Sequence, residues 1–129
     1  QNGGNFVKEL TPKENIIYLV CPIIKILESD NDCYFCDGHA TDKLTSFYDR
    51  SKIQDLPNII DWTSIKASYW GGQENLNKKR KKQAEFLVSE DIPANFIIGY
   101  GYYNDRAKMK LMNLGIEEKR IKVIPKAYF

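Results

Sequence analysis

Missing from this sequence is any strong imbalance of charge. With 19 Lys and Arg against 17 Asp and Glu, the basic excess of two carries no polyanion signal by itself, so any such signal has to be local. There is no apolar leader and no apolar run long enough to cross a bilayer, so a membrane partner is not expected. Cysteines number three, at Cys21, Cys33 and Cys36, and an odd count without a leader points to a reducing cytoplasm. Histidine occurs once, at His39, and neither the serines nor the cysteines stand in an order or spacing with it that a nucleophilic triad needs. A glycine-rich phosphate loop of Walker or Rossmann type is absent, as are internal repeats and low-complexity tracts. The chain opens on Gln1 and Asn2 without an initiating Met, and its two methionines, Met109 and Met112, lie near the far end; a fragment or processed product is expected.

What is present fits one domain over residues 1–129, entered by a flexible segment at 1–13 that holds Gly3, Gly4 and Pro12. Apolar residues make up 43% of the chain, enough for a core. Eight Tyr, six Phe and two Trp argue against disorder and provide rings that stack on other rings or on bases.

Along the chain, Ile16, Ile17, Tyr18, Leu19 and Val20 read as a buried strand, and Pro22 opens a helix with Ile23, Ile24 and Leu27 on one side. Residues 33–36 form a short strand between polar turns at 29–32 and 37–39. Residues 40–55 are helical in patches and break at Pro57. Asp61 has the chemistry of an N-cap for a helix through Trp62, Ile65 and Tyr69, ended by Gly71 and Gly72. Residues 71–82 have no apolar period and read as an exposed loop. Strand character returns at 84–88, is interrupted at Pro93 and resumes with Phe96, Ile97 and Ile98. A helix over 104–114 is stopped by Gly115, and 121–124 is a last strand.

Three local features carry chemistry. The first is the basic run Lys78, Lys79, Arg80, Lys81 and Lys82, just downstream of Tyr69 and Trp70. Five like charges repel unless they are solvated or meet a polyanion, and rings beside ammonium groups suit bases beside phosphates. A solvated loop that aids solubility is the alternative, and on either reading these side chains bury little, so their replacement should leave the fold intact. The second feature is Gln83 and Glu85, which in a strand share a face. If that face lines a cleft, an amide and a carboxylate there hold a ribose hydroxyl and stabilise a developing cation; on a solvated face they do nothing. The third is Cys33-x-x-Cys36-x-x-His39 with Cys21, which has metal-like spacing but amounts to half a site with a single His. Buried thiols packing as small hydrophobes are the preferred reading, and no metal is expected.

The stretch Lys79-Arg80-Lys81-Lys82-Gln83-Ala84-Glu85-Phe86-Leu87-Val88, with Pro93 and Phe96-Ile97-Ile98-Gly99 after it, resembles the signature of the DarT-type DNA ADP-ribosyltransferase toxins. The strand at 16–20, the turn Asp37-Gly38-His39-Ala40 with Phe47-Tyr48, Trp62 and Trp70, and the ending Ala127-Tyr128-Phe129 are similar to further stretches of that family, in the same order. The likeness covers nearly all of this chain but only the C-terminal part of the family; the early strands that carry a His and an Arg for NAD have no counterpart upstream of Ile16.

The resemblance implies an α+β fold, a split, mostly antiparallel sheet with a few helices, lacking the N-terminal part of the ADP-ribosyltransferase fold. It implies transfer of ADP-ribose from NAD, a substrate rather than a bound cofactor, to a base of single-stranded DNA, by the toxin of a toxin–antitoxin pair whose antitoxin is of macrodomain type. Glu85 is then the catalytic carboxylate and Gln83 orients the acceptor. Lys78, Lys79, Arg80, Lys81 and Lys82 meet DNA phosphates, and Trp70 is a base platform. An inactive nucleic-acid-binding domain, or a transferase acting on protein or RNA, remains the alternative.

Overall fold

Short β-branched and aromatic runs separated by capped helical turns give, in chain order, β1 (Tyr18–Val20), α1 (Ile23–Leu27), β2 (Cys33–Cys36), β3 (Phe47–Asp49), α2 (Leu56–Ile59), α3 (Trp62–Lys66), α4 (Leu76–Lys82), β4 (Phe86–Val88), β5 (Gly99–Tyr102), α5 (Asp105–Asn113) and β6 (Ile121–Val123). The computed structural model describes residues 11–128. Most of the expected entry segment at 1–13 lies outside the described residues. The chain forms two compact units: the described residues up to Lys25 with those from Pro93 onward, and Ile26–Ile92.

In the first unit β5 lies between β1, antiparallel to it, and β6, parallel to it. A parallel neighbour requires a crossover, which α5 supplies. The Asn104 side chain caps this helix by accepting the Ala107 N–H at 3.1 Å, and Gly115, at φ +85, turns the chain out of it. Ala107 and Leu111, one turn apart, are buried with Tyr102, and Tyr100, Ile116 and Ile121 pack around them. Near the chain end Tyr128 donates its hydroxyl to the Ile16 carbonyl at 2.8 Å while Tyr18 donates to the Ala127 carbonyl at 2.7 Å. Their rings meet edge to face at 5.0 Å, and burial pushes the Tyr128 phenol above its ordinary pKa.

The second unit carries a three-stranded antiparallel sheet in the order β3-β2-β4. Phe35, almost wholly buried on the central strand, stacks at 5.1 Å on Tyr48, its partner across β3. The α+β class with largely antiparallel pairing is as the sequence implies, while several local expectations change. Residues 40–55 hold β3 followed by a 3-10 helix at Arg50–Asp55, and Pro57 sits in the first turn of α2, where its missing N–H is harmless, so it opens a helix rather than breaking one. Ile26 is the buried residue of α1; Ile23 and Ile24 are exposed. Asp61 does cap α3, but that helix ends at Lys66, before Tyr69 and the glycine pair. Residues 94–96 form a 3-10 turn, so strand β5 starts at Gly99. The largest change is α4, a helix where an exposed loop is expected, formed by the basic run itself.

Candidate functional site

Lys and Arg are good helix formers, and cations in a last turn complement the negative end of the helix dipole. Five of them in succession still repel, since Lys78 and Lys82 stand four apart on one face. Partners from elsewhere in the second unit offset that repulsion. Arg80 is only 9% exposed. Its Nη1 donates to Asp37 Oδ1 at 3.1 Å and to Thr45 Oγ1 at 3.2 Å, and its Nε donates to Asn77 Oδ1 at 3.2 Å. Lys81 Nζ donates to Asp61 Oδ2 at 3.0 Å, and Lys82 Nζ donates to the Ile65 and Ala67 carbonyls at 2.6 and 3.0 Å. The three residues thus bind α4 to the turn after β2 and to both ends of α3.

Asp61 serves two elements at once. It accepts the Ser64 N–H at 2.9 Å as the cap of α3 and the Lys81 ammonium from α4. The Ser64 backbone bond first, and the Lys81 contact second, hold its carboxyl down at about 2. Among the described residues no buried side-chain nitrogen or oxygen lacks a hydrogen-bond partner, so this polar interior is fully satisfied.

Lys79 faces the other way. It is exposed, its ammonium lies 5.9 Å from the centre of the Trp70 ring, and the two residues line one hollow with Gly71, Gly72, Gln73 and Leu76. The hollow encloses about 310 Å³. Leu76 and Lys79 reach it together because they are three residues apart on α4. Ring, aliphatic side chain and cation around one concavity suit a flat anionic ligand. Lys78 is half-buried on the same helix.

Glu85 stands one residue before β4 with its side chain exposed and its main chain fixed: its carbonyl accepts the Cys36 N–H at 2.9 Å, and Cys36 Sγ lies 3.7 Å from the same oxygen. Gln83 does not share a strand face with it. At φ −100 and ψ 25 Gln83 caps α4, its N–H bonded to the Arg80 carbonyl, so strand alternation does not reach back that far. Neither Gln83 nor Glu85 lines the Trp70 hollow. The structure therefore brings Trp70 and Lys79 together, and directs Arg80, Lys81 and Lys82 onto the protein's own acceptors, which corrects the exposed-loop picture of phosphate contacts for those three. Asp37, Thr45 and Asp61 are the partners that sequence reasoning missed; Asp37 lies 43 residues from Arg80.

Among the described residues no three His, Cys, Asp or Glu side chains gather as a metal site. Cys33 and Cys36, three apart on β2, fall on opposite faces of the sheet, and Cys36 Sγ donates to the Gly38 carbonyl at 2.9 Å.

Residues 2–129 match the family model described as ssDNA thymidine ADP-ribosyltransferase, DarT. The chain belongs to the DarT family. A DNA ADP-ribosyl transferase of Thermus aquaticus is 37% identical over 78 residues, 60% of this chain and 32% of that protein. The Thermus sp. 2.9 DarT in complex with NAD+ superposes with a TM-score of 0.80 at 23% identity, over 95% of this chain and 62% of that one. The same DarT in complex with ADP-ribosylated ssDNA gives 0.79, over 95% and 58%. At that identity the likeness establishes the shared DarT fold. The chain spans about a third of the length of the curated Thermus aquaticus relative.

Proposed function

We propose that this chain is the glutamate-bearing part of an enzyme that transfers ADP-ribose from NAD to thymine in single-stranded DNA, a glycosyl transfer. The observation that carries the reading is Glu85: its main chain is pinned to β2 while its carboxylate faces outward, in the Gln-x-Glu setting that resembles the family's signature. Membership of a family described by this activity supports it, as does the likeness to a DarT solved in complex with NAD+ and with ADP-ribosylated ssDNA.

In the reaction the bond from ribose C1 to the nicotinamide nitrogen breaks, the electron pair leaving with nicotinamide. A new bond forms from that carbon to a thymine ring nitrogen, whose proton is released. Positive charge grows on the ribose between these events, and a fixed carboxylate stabilises it more than it stabilises bound NAD. Glu85 has that role, and the Gln83 amide orients the acceptor. Trp70 offers a face on which an unstacked base lies, with the Lys79 ammonium near a phosphate, and an unpaired base is reached without opening a duplex. The setting is that of a cytoplasmic toxin whose mark a macrodomain-type antitoxin removes. No helix among the described residues is long and apolar enough to cross a membrane.

Glu85→Gln tests the reading, since it keeps size and polarity and removes the charge. Transfer from NAD to a thymine-containing oligonucleotide should fall by orders of magnitude, about 100-fold or more, with oligonucleotide affinity retained. Full transfer by the variant would remove Glu85 from the mechanism. Affinity for DNA without any NAD turnover in the unmodified protein would favour an inactive binding domain, and labelling of protein or RNA in place of DNA would redirect the substrate.

A further inference from the structure

We propose that Arg80 is a positioning residue for Glu85, acting through the turn at residues 36–39 rather than on a bound polyanion; the inference rests on the role assigned above to Glu85. Arg80 is fastened to that turn twice. Its guanidinium donates to Asp37 and to Thr45, at 3.1 and 3.2 Å, and its own carbonyl accepts the His39 N–H at 3.0 Å. Asp37 is held in turn, because Oδ1 also accepts the Ser46 N–H at 3.0 Å.

Glu85 is fastened to the same turn from the other side, its carbonyl accepting the Cys36 N–H at 2.9 Å. Residues 80–85 therefore form a short loop with both ends tied to residues 36–39. Within it the Gln83 N–H donates to the Arg80 carbonyl and the Ala84 N–H to the Lys81 carbonyl, which leaves little slack. Gly38 makes the room: a Cβ there would run into Arg80 Nη1 and lie 2.9 Å from Thr45 Oγ1. A planar fork that reaches Asp37, Thr45 and Asn77 together is a geometry that a lysine ammonium does not reproduce. Because a misplacement of about 1 Å lowers a rate by about 100-fold, slack at Arg80 is felt at the carboxylate.

Arg80→Lys and Asp37→Asn in the full chain test this, read by amide hydrogen exchange, by NAD turnover and by oligonucleotide binding at several salt concentrations. The Cys36 and His39 amides should exchange about ten times faster or more, while the other amides of the β2–β3 pair keep their protection. The kcat for NAD turnover should fall about ten-fold or more with KM little changed, and the same substitutions should add no further loss in a Glu85→Gln background. The slope of log affinity against log salt should not move. A slope reduced by about 0.7 with exchange unaltered would make Arg80 a phosphate contact and overturn the proposal. Faster exchange throughout β2 and β3 would overturn it too, by making the residue a general support of the fold. Should Arg80→Lys not fold, Asp37→Asn, which keeps the acceptor oxygen, carries the same expectations. The exchange result stands apart from catalysis: if Glu85→Gln retains full turnover the functional reading fails, whereas unchanged Cys36 and His39 exchange defeats the clamp alone.

Discussion

Replacing the five basic residues of α4 by Ser, one at a time, should split them into two groups that composition does not distinguish. Arg80→Ser removes a guanidinium that is 9% exposed together with its donations to Asp37, Thr45 and Asn77, and leaves the Asp37 carboxylate with the Ser46 N–H alone. Breaking a buried pair costs about 3–5 kcal/mol, but Asp37 is 25% exposed and regains some hydration, so about 2–4 kcal/mol is expected. At about 4 °C per kcal/mol for a chain of this size, the unfolding midpoint should drop by about 8–16 °C. Lys81→Ser breaks a partly exposed pair and should cost about 0.5–1 kcal/mol, because Asp61 still accepts the Ser64 N–H as the cap of α3. Lys82→Ser frees two carbonyls near the end of α3, for about 1 kcal/mol. Lys78→Ser and Lys79→Ser should stay within about 0.5 kcal/mol.

Together the five losses approach about 4–6 kcal/mol, against a total stability of about 5–15 kcal/mol for a domain. The expectation that the whole run can be exchanged without harm to the fold is thereby reversed. Urea unfolding of the five single variants measures the split, and oligonucleotide affinity at several salt concentrations complements it: Lys79→Ser should lower the salt slope by about 0.7, Arg80→Ser should not. Equal, small destabilisation by Arg80→Ser and Lys79→Ser would refute the reasoning, because it would mean that the Asp37 contact is not formed.

The Asp61 carboxyl, held at about 2 when folded against 3.8 as its ordinary value, contributes stability that is present above pH 3.8 and is lost as the pH falls toward 2. The shift corresponds to about 2 kcal/mol before screening and about 1 kcal/mol after it, and acid unfolding of Asp61→Asn beside the parent checks it. Elemental analysis should find no stoichiometric zinc, and a chelator should not shift unfolding, since Cys33 and Cys36 point to opposite faces of β2; stoichiometric metal would overturn that. Trp70→Ala should weaken single-stranded oligonucleotide binding by about 1–3 kcal/mol with the salt slope kept, and equal affinity of the variant would remove the ring from the interface.

Elements whose stabilising contacts lie within a few residues were legible in the sequence. Helix α5 is such a case: Asn104 caps it, Gly115 ends it, and Ala107 and Leu111 are spaced for one buried face. Asp61 was likewise readable as a cap, because its acceptor bond reaches only to Ser64. Strand β3 was not, since three residues carry no period and its order comes from pairing with β2. The Gln83 and Glu85 pair was misread for a related reason: alternation presumes a strand, and the last turn of α4 extends to Gln83 before the strand begins.

Helix α4 shows where sequence reading stops. Taken alone, 76–82 is a poor candidate for any element, with one apolar residue at Leu76 and five like charges, so an exposed loop is the reasonable reading of the window. What makes it a helix is opposite charge from far along the chain, Asp37 for Arg80 and Asp61 for Lys81, together with the carbonyls of Ile65 and Ala67 for Lys82. The repulsion that argued for solvent is the same force that, once matched, ties α4 to the turn after β2 and to α3. A charge run therefore has two physical outcomes that no count of Lys and Arg separates. Solvated or polyanion-bound, it stays on the surface, as Lys79 does beside Trp70. Matched from within, it becomes framework, as Arg80 does, and the two outcomes occur here in adjacent residues of one helix.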